Sequence, residues 1–180
     1  MEMRCRGPRR PSWFEGTPIR LQDHVVLITG GASGIGLATV ERCLREGTRV
    51  DLADLAGSAG MAEAARLDAL YPGRCVFVPV DVTSTEQVDA MVETTVSTFG
   101  RLDGVFNNAG IGGICPADSS PDADFLRIID INLNGVFRVA RAALGPMYAQ
   151  GRAASSTAPP SWGCSVRAAR PPTRRARAGW

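Results

Sequence analysis

At 180 residues, 44% of them hydrophobic and 21% charged, the chain has the length and composition of one globular domain with a sizeable core. The formal charge of +2 conceals a segregation: residues 1–20 carry five arginines and two acids, residues 152–180 six arginines and no acid, and nine arginines face sixteen acids in between. That acidic middle excludes a nucleic-acid footprint, and no apolar run reaches the about 20 residues a membrane span needs.

The first 20 residues are Arg-rich, broken by Pro and Gly, and lack the apolar centre of a signal peptide; a basic, disordered extension or a misplaced start is expected. The elements then alternate. "HVVLIT" (24–29) predicts a short strand that runs straight into glycines, and "GIGLATVERCLREG" from Gly34 a helix stopped at Gly47. "RVDLAD" (49–54) predicts a second strand and "SAGMAEAARLDALYPG" a helix ended by Pro72. "CVFVPV" (75–80) predicts a third strand. A third helix follows, opened by a capping box of Ser84 with Gln87. "LDGVFNN" (102–108) is the fourth strand, and Pro121 opens a long helix to about Gly145, where Pro146 is expected to disturb it. Apolar strands alternating with helices predict an α/β domain over 21–151, a doubly wound parallel sheet covered on both faces.

Lysine is absent; every basic side chain is arginine. Cys5, Cys43, Cys75, Cys115 and Cys164 have neither metal-ligand nor redox spacing, and their odd number opposes a disulfide framework. They read as small buried hydrophobes in a reducing cytoplasm, and no metal site is expected. His24, the one histidine, has no ligand cluster around it and reads as structural.

"TGGASGIG" (29–36) joins the first strand to the first helix. Gly30 permits a tight turn, Gly34 lets the backbone approach a pyrophosphate, and Gly36 lets the helix pack close to the sheet. Helix N-terminal amides, with Ser33 and Ile35 in the same loop, then face negative charge. Asp54, 18 residues beyond Gly36 and followed by Leu55, ends the second strand. A carboxylate there accepts hydrogen bonds from a ribose diol and repels a 2′-phosphate, which favours NAD over NADP. The competing reading of Asp54 is a cap on the turn that follows.

The spacing T-G-x-x-x-G-x-G, followed in order by "DVT" (81–83), "NNAG" (107–110) and "INLNGVF" (131–137), resembles the short-chain dehydrogenase/reductase family over about seven-tenths of the chain. The resemblance implies a Rossmann fold, incomplete here, with its first four strands and their helices. It implies Asp81 and Val82 beside the adenine, Asn108, Ala109 and Gly110 along the cofactor cleft, and Asn132 as the catalytic asparagine. A helix residue satisfying a local kink is the plain reading of Asn132. The implied activity is hydride transfer between NAD and a small alcohol or ketone, in the cytoplasm. The family's dimer forms through the long helix, so a homo-oligomer is expected only if the fold is complete. With the later strands missing, the fourth strand would be left as an open edge.

The rest of the family's chemistry is a Ser after a fifth strand and then Tyr-x-x-x-Lys, whose lysine favours phenolate and holds the nicotinamide ribose. Without lysine that motif cannot exist in residues 1–180, and Tyr148 with Arg152 has the spacing but closes the wrong helix. The tail 152–180 admits three readings: a basic arm for an acidic partner, a solvated disordered end, or a segment out of frame. Read one nucleotide earlier, Ala153 and Ala154 can become Gly-Gly, Ser155 and Ser156 Ile or Val, and Thr157 Asn. Ala158, Pro159 and Pro160 can then become Ser-Ala-Ser, Thr173 Tyr and Arg177 Lys. That string resembles the family's missing fifth strand, Ser and Tyr-x-x-x-Lys. Besides the oxidoreductase reading, two alternatives stand: a dinucleotide-binding protein without catalysis, and a fragment that folds incompletely.

Overall fold

The computed structural model describes residues 21–113, 116, 118–151 and 155–156. The expectations for residues 1–20, for Cys5, Cys115 and Cys164, and for the tail other than 155–156 fall outside the described residues. The elements in chain order are β1 (Val25–Thr29), α1 (Gly34–Arg45), β2 (Arg49–Asp54), α2 (Gly60–Leu70), β3 (Cys75–Pro79), α3 (Thr85–Phe99) and β4 (Gly104–Asn107). After them come α4 (Asp122–Ile129), a π-helical turn (Asp130–Gly135), α5 (Val136–Ala149) and β5 (Ser155–Ser156).

All pairings are parallel, in the order β3-β2-β1-β4-β5. Parallel neighbours need crossovers, and the helices that make them bury both sheet faces. On one face Ile28, Val50 and Leu52 pack with Val40, Leu44 and Leu67 of α1 and α2. On the other, Leu27, Val78 and Val105 pack with Val88 and Met91 of α3 and Val139 and Ala143 of α5. The chain steps from β1 to β2 and β3 on one side, then returns to place β4 on the other. The order therefore reverses at β1, and the carboxyl ends of β1, β2 and β4 open a crevice there.

Four details differ from the sequence pattern. A fifth strand pairs Ser155 with Gly104 and Ser156 with Val105, so the first half of β4 is not an open edge. These are the two positions at which the shifted frame yields Ile or Val. The long helix is not continuous: a π-helical turn interrupts it at Asp130–Gly135. Pro146 does not end α5, which runs to Ala149, because Gln150 N still donates to Pro146 O at 3.1 Å and buried Met147 anchors the last turn. The capping box forms by half. Ser84 Oγ accepts from Gln87 N at 3.3 Å, but the Gln87 side chain reaches past Ser84 to accept from Asp81 N at 2.9 Å.

The pattern also gives no sign of a buried carboxyl, yet Asp51 in the middle of β2 is fully enclosed. One carboxyl oxygen bonds the Thr95 hydroxyl, and the other has no partner among the described residues. Thr95 Oγ1 also lies 2.9 Å from Met91 O. A hydroxyl has one proton, so both contacts are made well only if Asp51 is protonated, donating to Thr95 while Thr95 donates to Met91. Burial pushes the Asp51 carboxyl up to about 7, against the opposing hydrogen bond from Thr95. Its folded value exceeds its unfolded one, so its contribution is complete below the ordinary carboxylate range and is lost as pH rises toward 7. We expect Asp51→Asn to abolish a loss on the order of 3–4 kcal/mol across that window. Urea unfolding of both proteins from pH 4 to 7.5 checks this; parallel profiles would overturn it.

Candidate functional site

The crevice widens into a cavity of about 1040 Å³ whose wall draws on the ends of β1 to β4, on α4 and on the π-turn. Its size is that of a small-molecule or cofactor site. Gly30 and Ser33 line it from the loop after β1, Gly34 and Ile35 from the start of α1, Asp54 and Leu55 from the end of β2, Asp81 and Val82 from the loop after β3, and Asn108, Ala109 and Gly110 from the loop after β4. The fold thus gathers eleven of the thirteen candidate residues onto one wall. Gly36 and Asn132 are not part of that lining.

The reason for each glycine is visible in its surroundings. Gly30 has φ +65°, and an added Cβ would stand 2.9 Å from Ala109 Cα. Gly34, at φ +53°, has nothing within 4 Å of where a Cβ would be, so its bare backbone faces open space. Gly36 lies under the loop, where a Cβ would be 1.9 Å from Gly30 O and 2.6 Å from Asn108 Nδ2. The first turn of α1 therefore sits directly against the β1 and β4 loops.

That first turn is open. Ser33 at its N-cap makes no side-chain capping bond, and no acid occupies the turn. By contrast, α3 caps itself through Ser84 and carries Glu86 in its first turn, and the capped end holds the Glu86 carboxyl below its ordinary range. A helix N-terminus left without its own cap presents N–H groups and positive dipole to an anion.

Asp54 is held from two sides. Its Oδ2 accepts from Ala32 N at 2.9 Å and its Oδ1 from Leu55 N at 2.7 Å. Only the Leu55 bond lies at the turn that follows, and each oxygen keeps a second lone pair on a residue of the cavity wall. Asp81 similarly accepts from Thr83 N and Oγ1 at 2.9 and 2.7 Å, which folds the loop after β3 on itself. Val82 is buried against the π-turn, where a Cβ on Gly135 would come within 2.9 Å of Val82 Cγ2.

Thr29, missing from the candidate residues, ties the two halves of the crevice. Its buried Oγ1 accepts from both Asn108 N and Ala109 N at 3.1 Å, while Asn108 Nδ2 donates to Gly30 O at 3.0 Å. Its place at the end of β1, before the first glycine, was the signal available. Asn132 does not turn its amide to the cavity. The π-turn aims it at the loop after β4, where Oδ1 accepts from Ile111 N at 2.9 Å and Nδ2 donates to Ile111 O at 2.8 Å. These bonds span 21 residues and tie the π-turn to the loop after β4.

Sequence reasoning also missed the α4 side of the wall, where Leu126, Arg127, Asp130 and Ile131 line the cavity. Arg138 braces this side without lining it: it pairs with Asp130 Oδ1 at 2.7 Å and donates to Val82 O at 3.4 Å. Arg138, with Asn134, holds the Asp130 carboxyl below its ordinary range. Helical spacing gave no signal for these residues: Leu126 and Arg127 belong to α4, which buries no residue, and Asp130 and Ile131 open the π-turn. Among the described residues no cluster of His, Cys, Asp or Glu could hold a metal, and no helix is long and apolar enough to cross a membrane. Cys43 and Cys75 are free and buried, and burial raises both thiols, Cys75 to about 12.

A sequence profile described as short chain dehydrogenase matches residues 24–155. A similar curated protein is (5R,7aS)-5-hydroxy-7a-methyl-1-oxo-2,3,5,6,7,7a-hexahydro-1H-indene-carboxyl-CoA reductase of Mycobacterium tuberculosis, 45% identical over 125 residues, which is 69% of this chain and 48% of that one. Levodione reductase of Leifsonia aquatica is 42% identical over 135 residues, 73% of this chain and 50% of that protein. Human 3-hydroxyacyl-CoA dehydrogenase type-2 is 40% identical over 129 residues, 68% and 48% of the two chains. The chain spans about half the length of the curated relatives it matches. The profile covers nearly all of the described sheet and every loop that builds the crevice, and on that match the chain belongs to the short-chain dehydrogenase family.

Proposed function

We propose that this chain binds NAD in preference to NADP, as the cofactor-binding part of an oxidoreductase that moves hydride between NAD and a small alcohol or ketone. The observation that carries the reading is the open first turn of α1 and the fixed Asp54 carboxylate on one cavity wall. The residues fit the group: Gly34 leaves its backbone bare to the cavity, and a Cβ there would occupy that space. Gly30, Ser33, Gly34 and Ile35 would hold the pyrophosphate, with Gly36 letting α1 come close enough to do so. Asp54 and Leu55 would take the adenosine ribose, Asp81 and Val82 the adenine, and Asn108, Ala109 and Gly110 the side toward the nicotinamide. Bound there, the cofactor supplies hydride exchange at its nicotinamide ring. Asn132 shapes that end by fixing Ile111 through both halves of its amide.

The relatives' names, two of them for CoA compounds and one for levodione, suit a small-molecule substrate bearing a hydroxyl or carbonyl. Free buried thiols suit the cytoplasm. A second reading, binding without turnover, rests on the absence of lysine from residues 1–180.

Asp54→Ala tests cofactor choice. Removing the ribose acceptor and the charge that repels a 2′-phosphate should shift the NAD over NADP preference by ~1–3 kcal/mol. The substitution also strands the Ala32 amide, so affinities for NADH and NADPH are compared as a ratio within each protein. A wild type that binds NADPH more tightly would overturn the assignment.

A further inference from the structure

The cavity has two walls that no backbone hydrogen bond joins, the loop after β3 and the π-turn, and one side chain spans them. Arg138 reaches from the first turn of α5 to Val82 O at 3.4 Å, Asp130 O at 3.3 Å and Asp130 Oδ1 at 2.7 Å. Val82 and Asp130 both line the cavity, and Arg138 does not. Val82 cannot settle elsewhere, since its side chain is already pressed on Gly135 in the same π-turn. Only a planar fork with several donors can serve two carbonyls and a carboxylate at once; a lysine ammonium on a flexible stem cannot hold that geometry. Asp130 opens the π-turn and Arg138 stands in the first turn of α5 just beyond it, eight residues on.

The charge matters as much as the tie. Asp54 and Asp81 already place two carboxylates on the wall, and Asp130 adds a third where a cofactor with a pyrophosphate must dock. Arg138 and Asn134 both bond Asp130 Oδ1, and so keep its charge compensated and its side chain pinned. Without Arg138 the wall carries an uncompensated anion that is free to swing into the cavity.

We propose that Arg138 is a positioning residue for the adenosine end of the dinucleotide, acting through Val82 and Asp130 to fix the width of that end and to neutralise its wall. This rests on the dinucleotide reading above and adds a residue to it. The test measures ADP-ribose binding to the full chain by calorimetry, with thermal unfolding recorded on each protein. Arg138→Met should raise the Kd on the order of tenfold, the size of effect expected from a residue that couples to a ligand it does not touch. Adding Asp130→Asn to that variant should recover much of the lost affinity, because the stranded charge is gone. Arg138→Lys retains the cation and loses the fork, so its Kd should lie between wild type and Arg138→Met, and it serves if the methionine variant does not fold. A purely structural role predicts affinity and melting temperature falling together with no recovery in the double variant, and that result overturns the proposal. So does an unchanged Kd in Arg138→Met while the wild type binds. A wild type that binds no ADP-ribose overturns the dinucleotide reading itself.

Discussion

No hydride transfer is expected from the 180-residue chain with any alcohol or ketone, and NAD-dependent turnover is expected once one base near codons 151–153 restores the downstream frame. The glycine loop after β1 and Asp54 line the cavity, but hydride transfer to a carbonyl also needs a proton. A positioned general acid or base contributes ~10²–10⁴ in rate. The two tyrosines, Tyr71 and Tyr148, both lie outside the cavity wall, and lysine is absent altogether. With no lysine to orient a nicotinamide ribose, the deficit is expected to compound. In the shifted frame, Thr173 can become Tyr and Arg177 Lys at the family's spacing, behind a strand starting where β5 pairs with β4. Absorbance of NADH, followed for both proteins beside a binding titration, decides the matter. Turnover by the 180-residue chain would show that the proton relay lies in other residues. A nucleotide sequence that forbids Asn at codon 157 or Tyr at codon 173 in the shifted frame would remove the frame explanation.

Gly36→Ala is expected to cost on the order of 3 kcal/mol of stability, the upper end of what overpacking costs, and to abolish dinucleotide binding. The added methyl would stand 1.9 Å from Gly30 O, a backbone atom, and 2.6 Å from Asn108 Nδ2, itself bonded to Gly30 O. Neither neighbour is the free end of a flexible side chain. Helix α1 would have to lift from the sheet, pulling Val40 and Leu44 from their packing. Its open first turn would also withdraw from the cavity. Gly104→Ala is the control: its Cβ would meet only Val26 Cγ2, at 3.7 Å, so stability should stay level or rise by a few tenths to about 1 kcal/mol. Urea unfolding of the three proteins and an NADH titration check both statements. Equal midpoints for Gly36→Ala and wild type would show that α1 is not seated as described.

Much of this was legible in residues taken locally. The alternation of β-branched runs with helical spacing gave the first four strands and their helices. The glycine spacing gave the loop after β1, because a left-handed turn and a missing side chain restrict the residue type wherever they occur. Asp54 could be placed because strand length fixes the end at which it sits. The capping box was half legible: Ser84 reads its own turn, whereas Gln87 chose a partner outside it.

What the sequence by itself determined is the order of elements, the glycine-rich turn after β1 and the sign of charge at the end of β2. All of these depend on backbone geometry over a few residues. Tertiary structure alone decided the state of Asp51, whose partner Thr95 is 44 residues away, and the aim of Asn132 at Ile111, 21 residues back. It also decided the clamp of Thr29 on a loop 79 residues on, and the tie of Arg138 to Val82, 56 residues back. Each is a polar group whose desolvation must be offset by one particular partner, and only the folded chain brings that partner within hydrogen-bond reach.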